Sequence, residues 1–273
     1  QAKWSDRLAN GFSYSLGVAL SDDKAKVISY PSNPTNKIGD GVLYKGYTVG
    51  DIWGYVTGGI LQEGDFDGVG ANGKPLYHGP YFKGGQAYPG YVWYQDLDHD
   101  GVITTGLNTV NDPGDRKVIG NNAPRYRYNV TANFQYKGFD LDLMFQGVGK
   151  RDYWLSSSSS YWGNGAGSWE TYNDSWTPER TDAKFPMYGS GVGSYAQTGY
   201  LLDASYIKLK QVILGYTFPK SWIGKIGLEK LKLNVAAYNL FTISDVPKYY
   251  DADYLSDAYP PKRTFSVGIQ VGF

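Results

Sequence analysis

A chain of 273 residues with 26 basic and 26 acidic side chains has no formal net charge, so no global field draws it to nucleic acid or an anionic membrane surface. The absence of cysteine excludes a disulfide framework and thiolate metal sites. Aromatic residues reach 16%, with 26 Tyr and 8 Trp beside 36 Gly and only 2 Met, and this balance of strand and turn formers predicts a mostly β protein. The sequence holds no apolar run of about 18 residues, which excludes a transmembrane helix but not a strand-built membrane protein.

The opening QAKWSDRLANGF has neither a charged n-region nor an apolar h-region, so an export signal is expected outside this chain. The first predicted strand is FSYSLGVALS, which sets Phe12, Tyr14, Leu16, Val18 and Leu20 against Ser13, Ser15, Gly17, Ala19 and Ser21. RYRYNVTANFQY repeats the pattern, with Tyr126, Tyr128, Val130, Ala132, Phe134 and Tyr136 on one face and Arg127, Asn129, Thr131, Asn133 and Gln135 on the other. Lys137-Gly138 then turns tightly into FDLDLMFQG, predicting a hairpin. SYIKLKQVILGYTF alternates in two phases, Ile207 and Leu209 before Val212, Leu214, Tyr216 and Phe218, which predicts a β-bulge near Lys210-Gln211. KLKLNVAAYNLF and the terminal TFSVGIQVGF complete a set of six strands.

The connections alternate in length. Lys137-Gly138 and PKSWIGKIGLEK are short, whereas 31–124, 150–202 and 244–262 are long, and compact soluble domains rarely carry structureless loops beyond about 12–15 residues. Outer-membrane barrels pair short periplasmic turns with long extracellular loops and carry aromatic girdles, a role suited to Tyr126, Tyr128, Tyr136, Phe139, Phe218, Phe241 and Phe273. The pattern therefore favours a membrane barrel whose long loops face outward over a soluble β-sandwich. Six strands with open edges cannot stand alone in lipid, so the outer edge of 263–273 is expected to need a strand from elsewhere.

Four groups of residues invite chemistry. DLDHDGVI begins like a calcium loop, with Asp96, Asp98 and Asp100 at alternate positions, Gly101 at the turn and the Val102 carbonyl; Leu107 stands where a bidentate acid is needed, leaving Asp115 or Asp112 to complete a structural Ca²⁺ site. The alternative is an Asp-rich turn whose carboxylates cap backbone N–H groups. Trp93, Tyr94, Tyr153, Trp154, Tyr161, Trp162, Trp169, Tyr172 and Trp176 lie in the long loops, where flat aromatic faces suit sugar rings or peptide side chains, or else pack the loops together. GVGANG matches a dinucleotide loop by letters only, with no strand before it or helix after it. His78 and His99 lack ligand spacing, and Asp140, Asp142, Glu170 and Glu179 read as acids in a wet setting, so no catalytic group is assigned.

The succession WSDRLANGFSYSLGVALSDDKAKV, YTVGDIWGYVTGGILQ, DLDHDGVI, DRKVIGNNAPRYRYNVTANFQYKGFDLDLMFQGVGKRD, SWTPERTDAKFP, LLDASYIKLKQVILGYTFPK, LKLNVAAYNLFT and PPKRTFSVGIQVGF resembles the C-terminal part of SusC-like TonB-dependent transporters of Bacteroidetes outer membranes. The blocks span essentially the whole chain; YKGFDL with FQGVG, DASYIKLK and NLFT are the more specific. The resemblance implies an all-β chain: an antiparallel transmembrane β-barrel segment of about six C-terminal strands from a larger barrel of about 22 strands. It also implies a plug and remaining strands outside this chain, a SusD-like lipoprotein cap, TonB as energy source through a missing N-terminal part, and uptake of oligosaccharides or peptides. No enzymatic activity and no nucleic-acid partner are expected. The alternative is a secreted soluble β protein binding calcium and carbohydrate.

Overall fold

Period-two alternation does produce strands here, and it produces one more than the sequence suggests. The computed structural model describes residues 1–154, 169–190, 195–248, 250–255 and 261–273. They form two compact units, one of residues 1–23, 124–151 and 203–273, the other of 24–123 and 152–202.

The first unit is a single antiparallel sheet of seven strands: β1 (Ala2–Arg7), β2 (Ser13–Ser21), β3 (Arg125–Tyr136), β4 (Phe139–Lys150), β5 (Tyr206–Thr217), β6 (Lys230–Ser244) and β7 (Thr264–Gly272). Each strand pairs with its neighbour in chain order. The strand beyond the expected six is β1. It escapes the sequence pattern because Asp6 falls on the face of Ala2 and Trp4, opposite Tyr14, and breaks the alternation after two apolar residues. Lys137 and Gly138 form the predicted tight turn, both in the left-handed region at φ 46° and 89°.

The expected bulge in β5 is present and has a counterpart. Met144 faces Gln211 and Phe145 faces Leu209, so Lys210 is the extra residue against β4. Across the other edge Gln211 faces Tyr238 and Leu209 faces Phe241, so β6 passes two residues over the same rung, with Asn239 at φ 55°. One extra residue reverses the phase of β5, while two extra residues preserve the odd-numbered phase of β6. Leu209, Phe145 and Phe241 thereby stay on one face.

That face is apolar and exposed. On β7, Phe265, Val267, Ile269 and Val271 are 68%, 76%, 66% and 43% exposed, and Leu16, Val18, Leu214, Val235 and Ile243 are exposed on the strands alongside. Burying a large aliphatic or aromatic side chain contributes about 1.5–3 kcal/mol. At those exposures the four residues of β7 alone forgo about 4–8 kcal/mol in water, comparable to the whole stability of an ordinary domain. The opposite face is polar, and glycines let its side chains lie flat. The Asp140–Lys232 ion pair, 2.8 Å long, crosses over Gly215, where a Cβ would fall 2.5 Å from an Asp140 carboxylate oxygen. Among the described residues β1 and β7 each pair along one edge only.

The second unit is built from the long connections. They are not structureless, as their length and polarity suggest, but carry short paired strands: Asp51–Tyr55 with Arg116–Asn121, Thr57–Ile60 with Val92–Tyr94, Phe66–Val69 with Pro75–Tyr77, and Tyr81–Phe82 with Val102–Ile103. Ile38, Tyr44 and Tyr47 form one buried cluster against Val27, Trp53 and Val110. Tyr55, Phe82 and Tyr94 form another, their ring centroids 4.9–5.6 Å apart. Strands this short are held by such ring packing more than by their ladders.

Candidate functional site

The loop aromatics separate into two kinds. Tyr94 and Trp176 are 2% and 3% exposed. Gln197 Nε2 donates to the Tyr94 hydroxyl at 3.1 Å, and burial pushes that phenol well above its ordinary pKa. Trp176 Nε1 donates to Gln62 Oε1 at 2.9 Å. Both are core residues, because a large ring with one satisfied polar atom is worth more buried than exposed. Trp93, Tyr153 and Trp154 are half-buried, and the Trp93 ring lies against Gly58, where a Cβ would fall 2.4 Å from the indole.

Trp169 and Tyr172 behave differently. They sit on the short helix Trp169–Asn173, Trp169 is 74% exposed, and the two rings stack at 5.7 Å and 26°. Tyr188 meets Tyr172 edge-on at 5.2 Å and 86°. Tyr161, Trp162 and the Glu170 side chain lie outside what the structure describes.

In the Asp-rich loop, carboxylate oxygens of Asp96, Asp98 and Asp115 lie within 4.8 Å of one another. Asp115 comes from eleven residues beyond Thr104, fully buried, and accepts the Leu97 and Thr104 N–H groups at 2.8 and 2.7 Å. Asp96 accepts from the His99 and Gly101 N–H groups. Asp100 stands apart from the trio and accepts from the Val102 N–H. Partial desolvation, followed by the negative charges of Asp115 and Asp100, pushes the Asp98 carboxyl up. Each carboxylate oxygen keeps a second lone pair, so the trio fits a hard cation, and it equally fits a turn capped by its own backbone.

The remaining candidates have ordinary roles. GVGANG is the tip of the hairpin Phe66–Val69/Pro75–Tyr77, closed by Gly70 N–H to the Lys74 carbonyl at 2.9 Å. Asp140 is paired with Lys232, Asp142 accepts from the Asn133 amide, and His78 meets Asp67 at 2.9 Å in the open.

The most organised polar cluster is one that sequence reasoning passes over. Lys208 lies on the polar face of β5, 1% exposed, and donates to both Asp251 carboxylate oxygens at 2.8 and 2.7 Å. Lys210 donates to Asp253 at 2.9 Å, and the Tyr206 hydroxyl donates to the same carboxylate at 2.6 Å. Burial disfavours the Asp253 anion, but these bonds outweigh it and hold its carboxyl below the usual range. The segment 245–255 is thus tied to the sheet by two acids spaced i, i+2 meeting two lysines spaced i, i+2. YIKLK and DAD carry that matched spacing in the sequence, and it becomes a signal only once strand register puts Lys208 and Lys210 on one side. Beside this clasp lies a cavity of about 360 Å³ on the same sheet, between the ends of β2 to β5.

No family model matches the chain. It is 28% identical to TonB-dependent receptor P3 of Formosa agariphila over 96% of its own length and 27% of the receptor's. It is 26% identical to TonB-dependent receptor SusC of Bacteroides thetaiotaomicron over 80% of the chain and 23% of SusC. The fold is shared with solved structures of the RagAB peptide transporter, at TM-score 0.62 and 18% identity, and of the RagAB peptide importer in its closed-closed state, at TM-score 0.64 and 16% identity. Each match covers 99% of this chain and 28% of the solved one. The chain therefore spans about a quarter of the proteins it resembles.

Proposed function

We propose, for a chain homologous to the SusC-like TonB-dependent receptors and about a quarter of their length, that it forms the C-terminal wall of an outer-membrane importer. The observation that carries this reading is the seven-stranded sheet with one continuous, exposed apolar face. Lipid is the solvent that such a face suits, and in lipid every edge must be paired. The long connections then fold on the extracellular side, the tight turns face the periplasm, and other strands of the receptor complete both edges.

The imported solute is an oligosaccharide or a peptide, captured with a SusD-like lipoprotein and moved with energy from TonB. Trp169 and Tyr172 offer stacking faces for that solute. A Ca²⁺ held by Asp96, Asp98 and Asp115 stiffens its loop, with no catalytic part. Fractionation tests the reading: the full-length receptor should require detergent for extraction and bring a lipoprotein with it on affinity purification. Quantitative release in buffer alone would favour a soluble calcium- and carbohydrate-binding protein.

A further inference from the structure

We infer that the cavity beside the clasp is a subsite for an organic carboxylate. It sits on the polar face of the sheet. Arg127 on β3 lines it, together with the Asn129 and Gln146 side chains, which supply N–H donors, Gln146 also reaching the Tyr206 hydroxyl at 3.4 Å. Its one acidic residue, Asp253, is already committed to Lys210 and Tyr206, at 2.9 and 2.6 Å, and so presents little uncompensated negative charge. Arg127 has a distant partner in Asp23, at 3.7 Å, with both side chains more than half exposed, and a surface pair of that kind is weak. A guanidinium so placed is available to a better acceptor, and a carboxylate matches its fork with two parallel hydrogen bonds.

The rest of the lining sets the size and character of the guest. Val148 and Tyr206 are buried beneath the cavity floor, and Pro124 contributes apolar surface. The clasp keeps Tyr206 and Asp253 fixed, so the wall is formed before a ligand arrives. A cationic fork next to an apolar wall suits an anion with an apolar body better than a neutral sugar. At about 360 Å³ the space admits one residue of a chain, such as a peptide terminus or a uronic sugar, and not a whole oligomer. This inference rests on the importer reading for its biological meaning, but its chemistry stands or falls on the cavity alone.

The test is a ligand-observed saturation-transfer NMR titration of the purified full-length receptor in detergent. The probes are N-acetylphenylalanine, its neutral carboxamide, and glucuronic acid. The parent receptor should bind N-acetylphenylalanine or glucuronic acid at least about tenfold more tightly than the carboxamide, the scale of one charge-assisted hydrogen bond. A preference between the two acids tells whether the natural carboxylate is carried by a peptide or a sugar. Arg127→Gln should abolish the discrimination, and Lys3→Gln, on the same face of β1, should retain it. Equal binding of acid and amide, discrimination that survives Arg127→Gln, or no saturation transfer from any probe would overturn the inference. Loss of discrimination in a receptor that still extracts only with detergent would leave the importer reading intact.

Discussion

Lys208 is the side chain whose removal should be felt most widely, because it leaves Asp251 with a charge and no cation. Breaking a buried ion pair from one side costs about 3–5 kcal/mol, and Asp251 has only 16% of its side chain exposed. Lys208→Met should therefore accelerate hydrogen exchange through 245–255, and the double variant Lys208→Met with Asp251→Asn should recover most of the protection. Unchanged exchange in the single variant would mean that the clasp does not hold the segment. Asp253 adds a pH dependence. Its folded carboxyl lies below the ordinary value near 3.9, so its contribution is complete above that value and is lost as pH falls through the folded one. Exchange in 245–255, corrected for its intrinsic rate, should be flat from pH 7 to about 4 and rise only below. These roles were hidden in the sequence because they depend on register. The burial of Tyr94 and Trp176 was hidden for a related reason, since composition alone does not distinguish a ring that packs from a ring in the open.

At the scale of elements, alternation read six of the seven strands, the hairpin at Lys137-Gly138 and the bulge in β5, because a half-exposed strand must repeat every second residue. It lost β1, where one acid interrupts a short strand, and it lost the two-residue passage in β6, which leaves the parity of the pattern untouched. Two changes test these elements. Gly138→Ala places a Cβ 2.7 Å from the Thr217 carbonyl oxygen at φ 89°. It should cost about 1–2 kcal/mol or more, read as a lower denaturant midpoint for folding into lipid vesicles, whereas Lys137→Asn should be neutral or better. Deleting Lys210 removes the bulge and joins the two phases of β5 into one alternation, with Ile207 and Leu209 still on the apolar face. The unboiled variant should therefore keep the electrophoretic shift that marks a folded barrel while losing the Lys210–Asp253 bond; loss of the shift would show that the bulge is needed for register.

For the whole molecule, the account rests on which solvent meets the apolar face. Length and composition allowed a soluble domain, and the folded second unit shows that long connections alone do not exclude one. The distinguishing fact is energetic: each of the seven strands leaves at least one large apolar residue in the open, and two edges of the sheet lack partners among the described residues. This chain contains no cysteine, so it adds no background label to the direct measurement. Single cysteines at positions 264 to 272 of the full-length receptor, spin-labelled in outer membranes, report access to apolar oxygen against a water-soluble nickel complex. Oxygen access should peak at Phe265, Val267, Ile269 and Val271 and nickel access at Ser266, Gly268 and Gln270, with a period of two. Nickel access that is high at every position, or a trace without that period, would contradict the claim that this face lies against lipid.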